Sequence, residues 1–533
     1  MLKPVRKGPF LGVNNRLDRS GLFVKDVGWF VADAVNVELT NSKTFRLRDI
    51  ETRLESMSGA HSLFKASNGH IFLVRDSVLY RITLPAYSET LLKLLTSDAP
   101  VSYVEYAGSV YYSNGTDSGR IDSGVWYPMA LPTPSAPTVS AISGNLDKGQ
   151  YRVAVAYINS TTGEEGGLSA AGAIDLADGS GIHVVLPGVI SGASHVAVYL
   201  SHANGSVLML KTLVDASQTS INLVTPADGR EGVQRFEAPL PAGELFMFNG
   251  CLCSFNGGDV YEGIPYRPGY YLPVEGRIPF PADVSNVIPA QNGVYVVADI
   301  TRWFSGSRMT QATSVIDVLP YGGVQGTAFE FEFESNGVTT PCYGWFGLRG
   351  IVLASSDGTV RAPMAANVVP VLPERGAATV IETRGIRRVV ACGWCLNLEN
   401  FGATRFEDYE FNSFIEGFGL KNDGLYALAG GAYLDGWVDF GEDNFNQLGQ
   451  VRLPCAYFEV SSTSPIHVVV TDDSGNSYDY AARNADSSMK IQRVDFGLGL
   501  KSSRFNLLVK NGNGDDFSLA SSNFTPVGTG RRI

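Results

Sequence analysis

Apolar and polar residues alternate along this chain in short runs, and they seldom recur every three or four positions. Ala328-Phe-Glu-Phe-Glu-Phe-Glu334 sets Phe on one face and Glu on the other, the two-residue period of a half-buried strand. The runs are separated by nine Asn-Gly and five Asp-Gly dipeptides, which accept the positive φ angles of type I′ hairpin turns. Ser88 to Leu95 is the best short segment with helical spacing. The pattern predicts an all-β protein.

Within it a weak unit repeats: a turn glycine, an apolar or aromatic pair, then a further apolar step. It begins at Gly69, Gly108, Gly250, Gly293, Gly350 and Gly424, at intervals of 39, 142, 43, 57 and 74 residues. Two intervals fit a four-stranded propeller blade of about 40–50 residues, and 142 fits one blade plus an inserted domain of about 100. The insertion opens on Leu131-Pro-Thr-Pro-Ser-Ala-Pro137, a stiff segment that resists helix, and closes at Ala238-Pro-Leu-Pro-Ala242. Its strand runs predict a fibronectin type III or immunoglobulin-like sandwich. The expected organisation is an N-terminal arm with first strands (1–60), propeller (61–132), inserted sandwich (133–240), propeller again (241–435) and a C-terminal β-sandwich (436–533).

Composition narrows the function. With 44% hydrophobic and 18% charged residues the chain has ample core material, and 59 glycines fit many tight turns. Lys plus Arg number 41 against 53 Asp plus Glu, a net charge of −12 that disfavours a phosphate-gripping surface. No apolar run approaches the roughly 18–20 residues of a membrane helix. The first thirty residues are charged and lack an apolar h-region, so synthesis in a cytoplasm without a secretory signal is expected.

Candidate chemistry is sparse. There is no G-x-S-x-G elbow, no P-loop and no G-x-G-x-x-G, and the six histidines are scattered. Cys251 with Cys253, and Cys392 with Cys395, lack the partner ligands of a metal centre and are read as buried structural thiols. Asp435, Asp439, Glu442 and Asp443 form the densest acidic group and are expected in a solvated turn. Asp472, Asp473 and Asp479 could hold calcium, but a plain hairpin is preferred. Trp126, Tyr127, Trp345 and Trp437 could serve as glycan platforms, with core filling the better expectation. These readings predict no catalysis, no cofactor and no metal.

The opening carries the most distinctive motif, Lys7-Gly-Pro-Phe-Leu-Gly-Val-Asn-Asn-Arg16, followed by Val31-Ala-Asp-Ala-Val-Asn-Val-Glu38. It resembles the start of a family of tailed-bacteriophage virion proteins. Asn292-Gly-Val-Tyr-Val-Val297, Tyr321-Gly-Gly-Val-Gln-Gly-Thr327, Arg349 to Gly358 and Gly497 to Phe505 resemble later markers of the same family. Relatives often close a basic run with Pro-Gly where this chain has Phe45-Arg-Leu-Arg-Asp-Ile50. The resemblance implies a β-propeller tail protein, a nozzle or hub of a short-tailed phage. Such a protein forms a hexameric ring around the DNA-exit channel, beside portal-proximal adaptors and tail fibres, and takes part in assembly, host attachment and genome ejection. Double-stranded DNA would pass without specific binding, past a surface whose acidity repels it. Lys7, Gly8, Pro9, Phe10, Gly12, Asn14, Asn15 and Arg16 are the expected docking motif, on a basic arm. Arg531 and Arg532 are an expected inter-subunit contact. The alternatives are a tail-tip or fibre-adaptor protein of a long-tailed phage, or a glycan-binding or glycan-degrading propeller.

Overall fold

The computed structural model describes residues 3–529, except 85, 235, 336, 429, 431, 432, 448, 498 and 513, and at 335 and 338 the backbone alone. Every regular element among them is a β-strand. The helical spacing of Ser88–Leu95 is overridden: Ser88–Leu94 is a strand, antiparallel to Val78–Thr83. Leu91 and Leu94 stay exposed there, so the neighbouring backbone, rather than side-chain burial, selects the strand. The chain forms two compact units: Met1–Phe64, Ile300–Arg302 and Asp317–Ile533, and Lys65–Asp299 with Trp303–Ile316.

The second unit is built from antiparallel meanders. Ser102–Tyr106, Ser109–Ser113, Ser118–Asp122 and Val125–Tyr127 make one four-stranded sheet in simple sequence order. Glu244–Phe248, Cys251–Asn256, Asp259–Tyr261 and Arg277–Pro279 make another. Between them lies the inserted segment, whose two sheets share one core of Leu146, Tyr151, Val155, Ile182, Val198 and Leu223, among others. Thr138–Leu146, Ser180–Val185 and Ser220–Leu223 form one sheet. Gly149–Asn159 is central in the other, between Gly172–Leu176 and His195–Ser201. The first strand therefore pairs with Ser180–Val185, whereas an immunoglobulin-type sheet puts its first strand beside its second. The inserted segment is two-layered, with a different wiring from the one expected.

The first unit repeats the meander. Phe329–Ser335 to Val360–Arg361 form one four-stranded sheet, and Ala378–Thr383 to Ala403–Arg405 run in the same order. A third, Ser413–Ile415, Phe418–Lys421 and Gly424–Ala427, is completed by Thr52–Ser56 from the opposite end of the chain. The repeat glycines Gly69, Gly108, Gly250 and Gly293 stand before the second strand of their sheets, while Gly350 and Gly424 stand before the third. The matching positions in the later sheets are Gly337, Gly385 and Gly417, all at positive φ. That offset accounts for the interval of 57, and the interval of 74 is long because it spans the whole sheet at 378–405, whose turn glycine is Gly385.

The remainder of this unit is two small three-stranded sheets and two large ones, one of which continues the meander at 378–405, and the core there includes Phe10, Phe45, Phe440, Phe458 and Phe524. Both large sheets take strands from the N-terminal region, which corrects the expectation of an arm and of a self-contained domain at 436–533. Val5–Lys7 pairs with Phe517–Phe524. Phe45–Leu47 lies between that same strand and Val37–Leu39. Asp33–Val35 sits between Ala403–Arg405 and Trp437–Asp443. Asn36 makes the corner between Asp33–Val35 and Val37–Leu39 at φ 54, a left-handed turn an Asn tolerates. Its amide is used at both ends, donating to the Asp435 carbonyl and accepting from Arg48 Nε and the Glu407 amide.

Candidate functional site

The expected docking motif is spent inside the chain. Lys7 is buried, its ammonium 2.9 Å from Asp443 and facing the rings of Trp29, Phe440 and Phe524. Burial lowers its pKa from the ordinary lysine value, against the opposing pull of Asp443. Gly8 lies at φ 124 against Ser521, and the Pro9 carbonyl accepts from the Trp29 amide. Phe10 packs between Phe45 and Phe440 at centroid distances of 5.0 and 5.8 Å. Gly12 has φ 96, and a Cβ there would stand 2.6 Å from the Ala403 nitrogen. The Asn14 side chain accepts from the Arg16 and Leu17 amides and donates to Asn367. Asn15 exchanges hydrogen bonds with the Val369 backbone, and Arg16 donates to the Val368 carbonyl. A segment read as a free arm is thus a fastener of its own unit. Arg531 and Arg532 lie outside the described residues.

The acidic group is corrected in the same way. Asp439, Glu442 and Asp443 belong to the strand Trp437–Asp443 and pair with Arg19, Arg504 and Lys7 respectively. Asp439 is buried, so the run that reads as a solvated turn neutralises Lys7 and Arg19 of the N-terminal segment and Arg504 near the other end. Asp472 caps the amides of Ser474 and Asn476, and Asp473 accepts from Ser503. Among the described residues no group of three or more His, Cys, Asp or Glu could hold a metal. Trp345 is fully buried. Trp126 donates to the Tyr112 hydroxyl and lies under Lys93, Tyr127 faces Arg120, and Trp437 is half-buried.

What the sequence does not single out is a cleft of about 320 Å³ in the second unit, beside the turn that follows Asp259–Tyr261. Its floor is organised by Glu262, whose side chain is completely buried. The Glu262 carboxylate accepts from Arg308 Nε at 3.2 Å, the Met309 and Thr310 amides at 3.1 and 3.0 Å, and the Thr310 hydroxyl. A buried carboxylate needs such donors, and these four fix the 308–310 loop against the strand end. Both oxygens are engaged, so Glu262 positions the loop and is no free base.

Glu275 and Gln311 line the same cleft without a side-chain partner among the described residues, and Arg308, held to Glu262 through Nε, leaves its Nη groups unused by that bond. Ile264, Pro265 and Leu272 supply apolar wall. Tyr266, the residue after Pro265, is 84% exposed. Its ring lies over Gly250, and the adjoining Asn249 donates to the Ser307 carbonyl, one residue before Arg308. Tyr266 does not itself line the cleft; it stands one residue beyond the wall residue Pro265. The signal in the sequence was a tyrosine in Gly263-Ile-Pro-Tyr-Arg-Pro-Gly269, a turn rather than an alternating run.

No protein-family model matches the chain, and no curated protein matches it. Solved structures are similar at low identity. An arabinoxylan arabinofuranohydrolase of glycoside hydrolase family 43 from Bacillus subtilis is 12% identical, over 80% of this chain and 96% of that one, with a TM-score of 0.22. BBS1N in complex with ARL6DN is 11% identical over 72% and 96%, with a TM-score of 0.26. An exo-β-1,3-galactanase from Phanerochaete chrysosporium is 11% identical over 84% and 100%, with a TM-score of 0.17. Glycoside hydrolases stand among these likenesses, so the expectation that the chain is not an enzyme is withdrawn.

Proposed function

We propose that this chain is a β-propeller protein of a bacteriophage tail, acting in tail assembly, host attachment and genome ejection. In this reading the meanders are the blades, and Thr52–Ser56, added to the last of them from the start of the chain, is the closing strand. Copies surround the DNA-exit channel as a hexameric ring, next to adaptor proteins and fibres, since repeated head-to-tail contacts close when their rotation closes. The observation that carries the reading is the opening motif. The residues that resemble those of phage tail proteins are also the ones on which the first unit is fastened, Lys7 on Asp443 and Gly12 against Ala403. Gold-labelled antibody against the chain, imaged on phage particles, tests it: label at the tail is expected, and label absent from every particle overturns it. Native mass spectrometry of the purified protein reads the copy number.

A second reading, a glycan-binding or glycan-degrading propeller, is favoured by the cleft beside Tyr266 with its unpartnered polar side chains. It is compatible with the first, because attachment to a host surface is glycan recognition in many settings. Binding to a glycan array and release of reducing sugar test it directly.

A further inference from the structure

We infer that the Glu262 cleft is a subsite for a neutral saccharide, with the exposed Tyr266, one residue beyond the wall residue Pro265, as the stacking platform; this rests on the glycan-binding reading. A sugar ring offers an apolar C–H face and a rim of hydroxyls that both donate and accept. Tyr266 supplies the complementary flat apolar surface, held in place because its amide donates to the Gly250 carbonyl and its ring rests on Gly250. For the hydroxyls the cleft supplies a donor set in Arg308, an acceptor in Glu275, and both in Gln311. A volume of about 320 Å³ suits one or two sugar rings at the small end of ligand pockets.

Charge selects the class of sugar. The single cation, Arg308, already faces the buried carboxylate of Glu262, and Glu275 adds a second negative charge at the mouth. A uronate or sialate would bring a third carboxylate toward the two present, and like charges at short range are unfavourable. A neutral hexose meets no such opposition. Because Glu262 already holds the 308–310 loop by four hydrogen bonds, the polar groups are set before the ligand arrives, which lowers the cost of ordering them.

The test uses the full chain and two probe sets, neutral malto- and cello-oligosaccharides and charged oligogalacturonates, with binding read by array and then by titration calorimetry. The variants are Tyr266→Ala, Tyr266→Phe and Gln311→Ala, all at exposed side chains. Neutral probes are expected to bind, Tyr266→Ala to lose about tenfold or more in affinity, Tyr266→Phe to retain it and Gln311→Ala to weaken it. Preference for the oligogalacturonates overturns the inference, and so does neutral binding that Tyr266→Ala leaves unchanged; glycan recognition itself survives both results. Binding of neither set, nor of any glycan on a wider array, removes the glycan-binding reading and the inference with it.

Discussion

The Tyr270 hydroxyl donates to the Glu164 carboxylate at 2.7 Å and accepts from the Leu131 amide at 2.8 Å, tying the inserted segment to the strand Arg267–Tyr271. Burial raises the phenol pKa, and Glu164 raises it further, so the tyrosine stays a donor at ordinary pH. The neighbouring Glu165 accepts from Tyr199 and Arg230, and its carbonyl from Arg267. The insertion is held as a rigid attachment to the meanders of its unit.

Tyr270→Phe removes both hydrogen bonds of the hydroxyl, leaving the Leu131 amide only its longer bond to Glu164 at 3.3 Å and Glu164 only that amide and Arg120. A loss of about 1–3 kcal/mol is expected. Limited proteolysis reads it as earlier cleavage within Leu131-Pro-Thr-Pro-Ser-Ala-Pro137, with the melting temperature of the second unit lowered.

Gly12→Ala forces a side chain onto a backbone at φ 96, with its Cβ 2.6 and 2.8 Å from the Ala403 nitrogen and oxygen. A cost of about 2–4 kcal/mol is expected. Gly59→Ala, at φ 69 but in open space, is the matched control and should cost about 1 kcal/mol. Chemical denaturation separates the two. Removing residues 1–20 takes away Lys7, Phe10 and Gly12 together, and should abolish cooperative folding of the first unit rather than an assembly step alone.

Glu51 gives the first unit a pH dependence. Burial alone would raise its pKa, but Arg48 at 2.7 Å and Lys421 overcome that and hold it below the ordinary value of 4.5. A carboxylate lowered by folding contributes stability above its unfolded pKa and loses it as pH falls through the folded one. Glu51→Gln should therefore melt earlier than the parent at pH 7, by about 3 kcal/mol for a broken buried pair, with the gap narrowing below about pH 4.5. Equal melting of the two proteins at pH 7 would contradict this.

The cysteines should be silent. Cys251, Cys253 and Cys395 are buried, and burial pushes the thiols of Cys392 and Cys395 up to about 12 and about 11. A thiol reagent at pH 8 should leave these four unmodified in the native protein and label all six after denaturation. Rapid labelling of Cys395 without denaturant would refute the packing around it.

The strands were legible because their side chains alternate, and the early repeat because Asn-Gly marks its turns at Gly69, Gly250 and Gly293. The later repeat was hidden where residues other than Asn or Asp precede the turn glycine: Arg384, at φ 52, precedes Gly385, and Glu416 precedes Gly417. Lys7 and Asp439 misled for a different reason. A charged residue reads as solvent-facing unless its partner is known, and here the partners, Asp443 and Arg19, are more than 400 positions away in the chain. The Tyr266 cleft was invisible because it joins two separated turns, and no periodicity records such a meeting.

The pairing of Val5 with Phe524 sets a timetable for synthesis. While the ribosome is still translating, Val5–Lys7, Asp33–Val35 and Thr52–Ser56 have no partners and Phe45–Leu47 has only Val37–Leu39, since Gly424–Ala427, Trp437–Asp443 and Phe517–Phe524 emerge long after them. The strands of residues 65–299, by contrast, can pair as they emerge. The nascent chain must therefore carry bare β-edges at its front for most of its production, which makes it a client for chaperones and an aggregation hazard whenever translation stalls before its final strands.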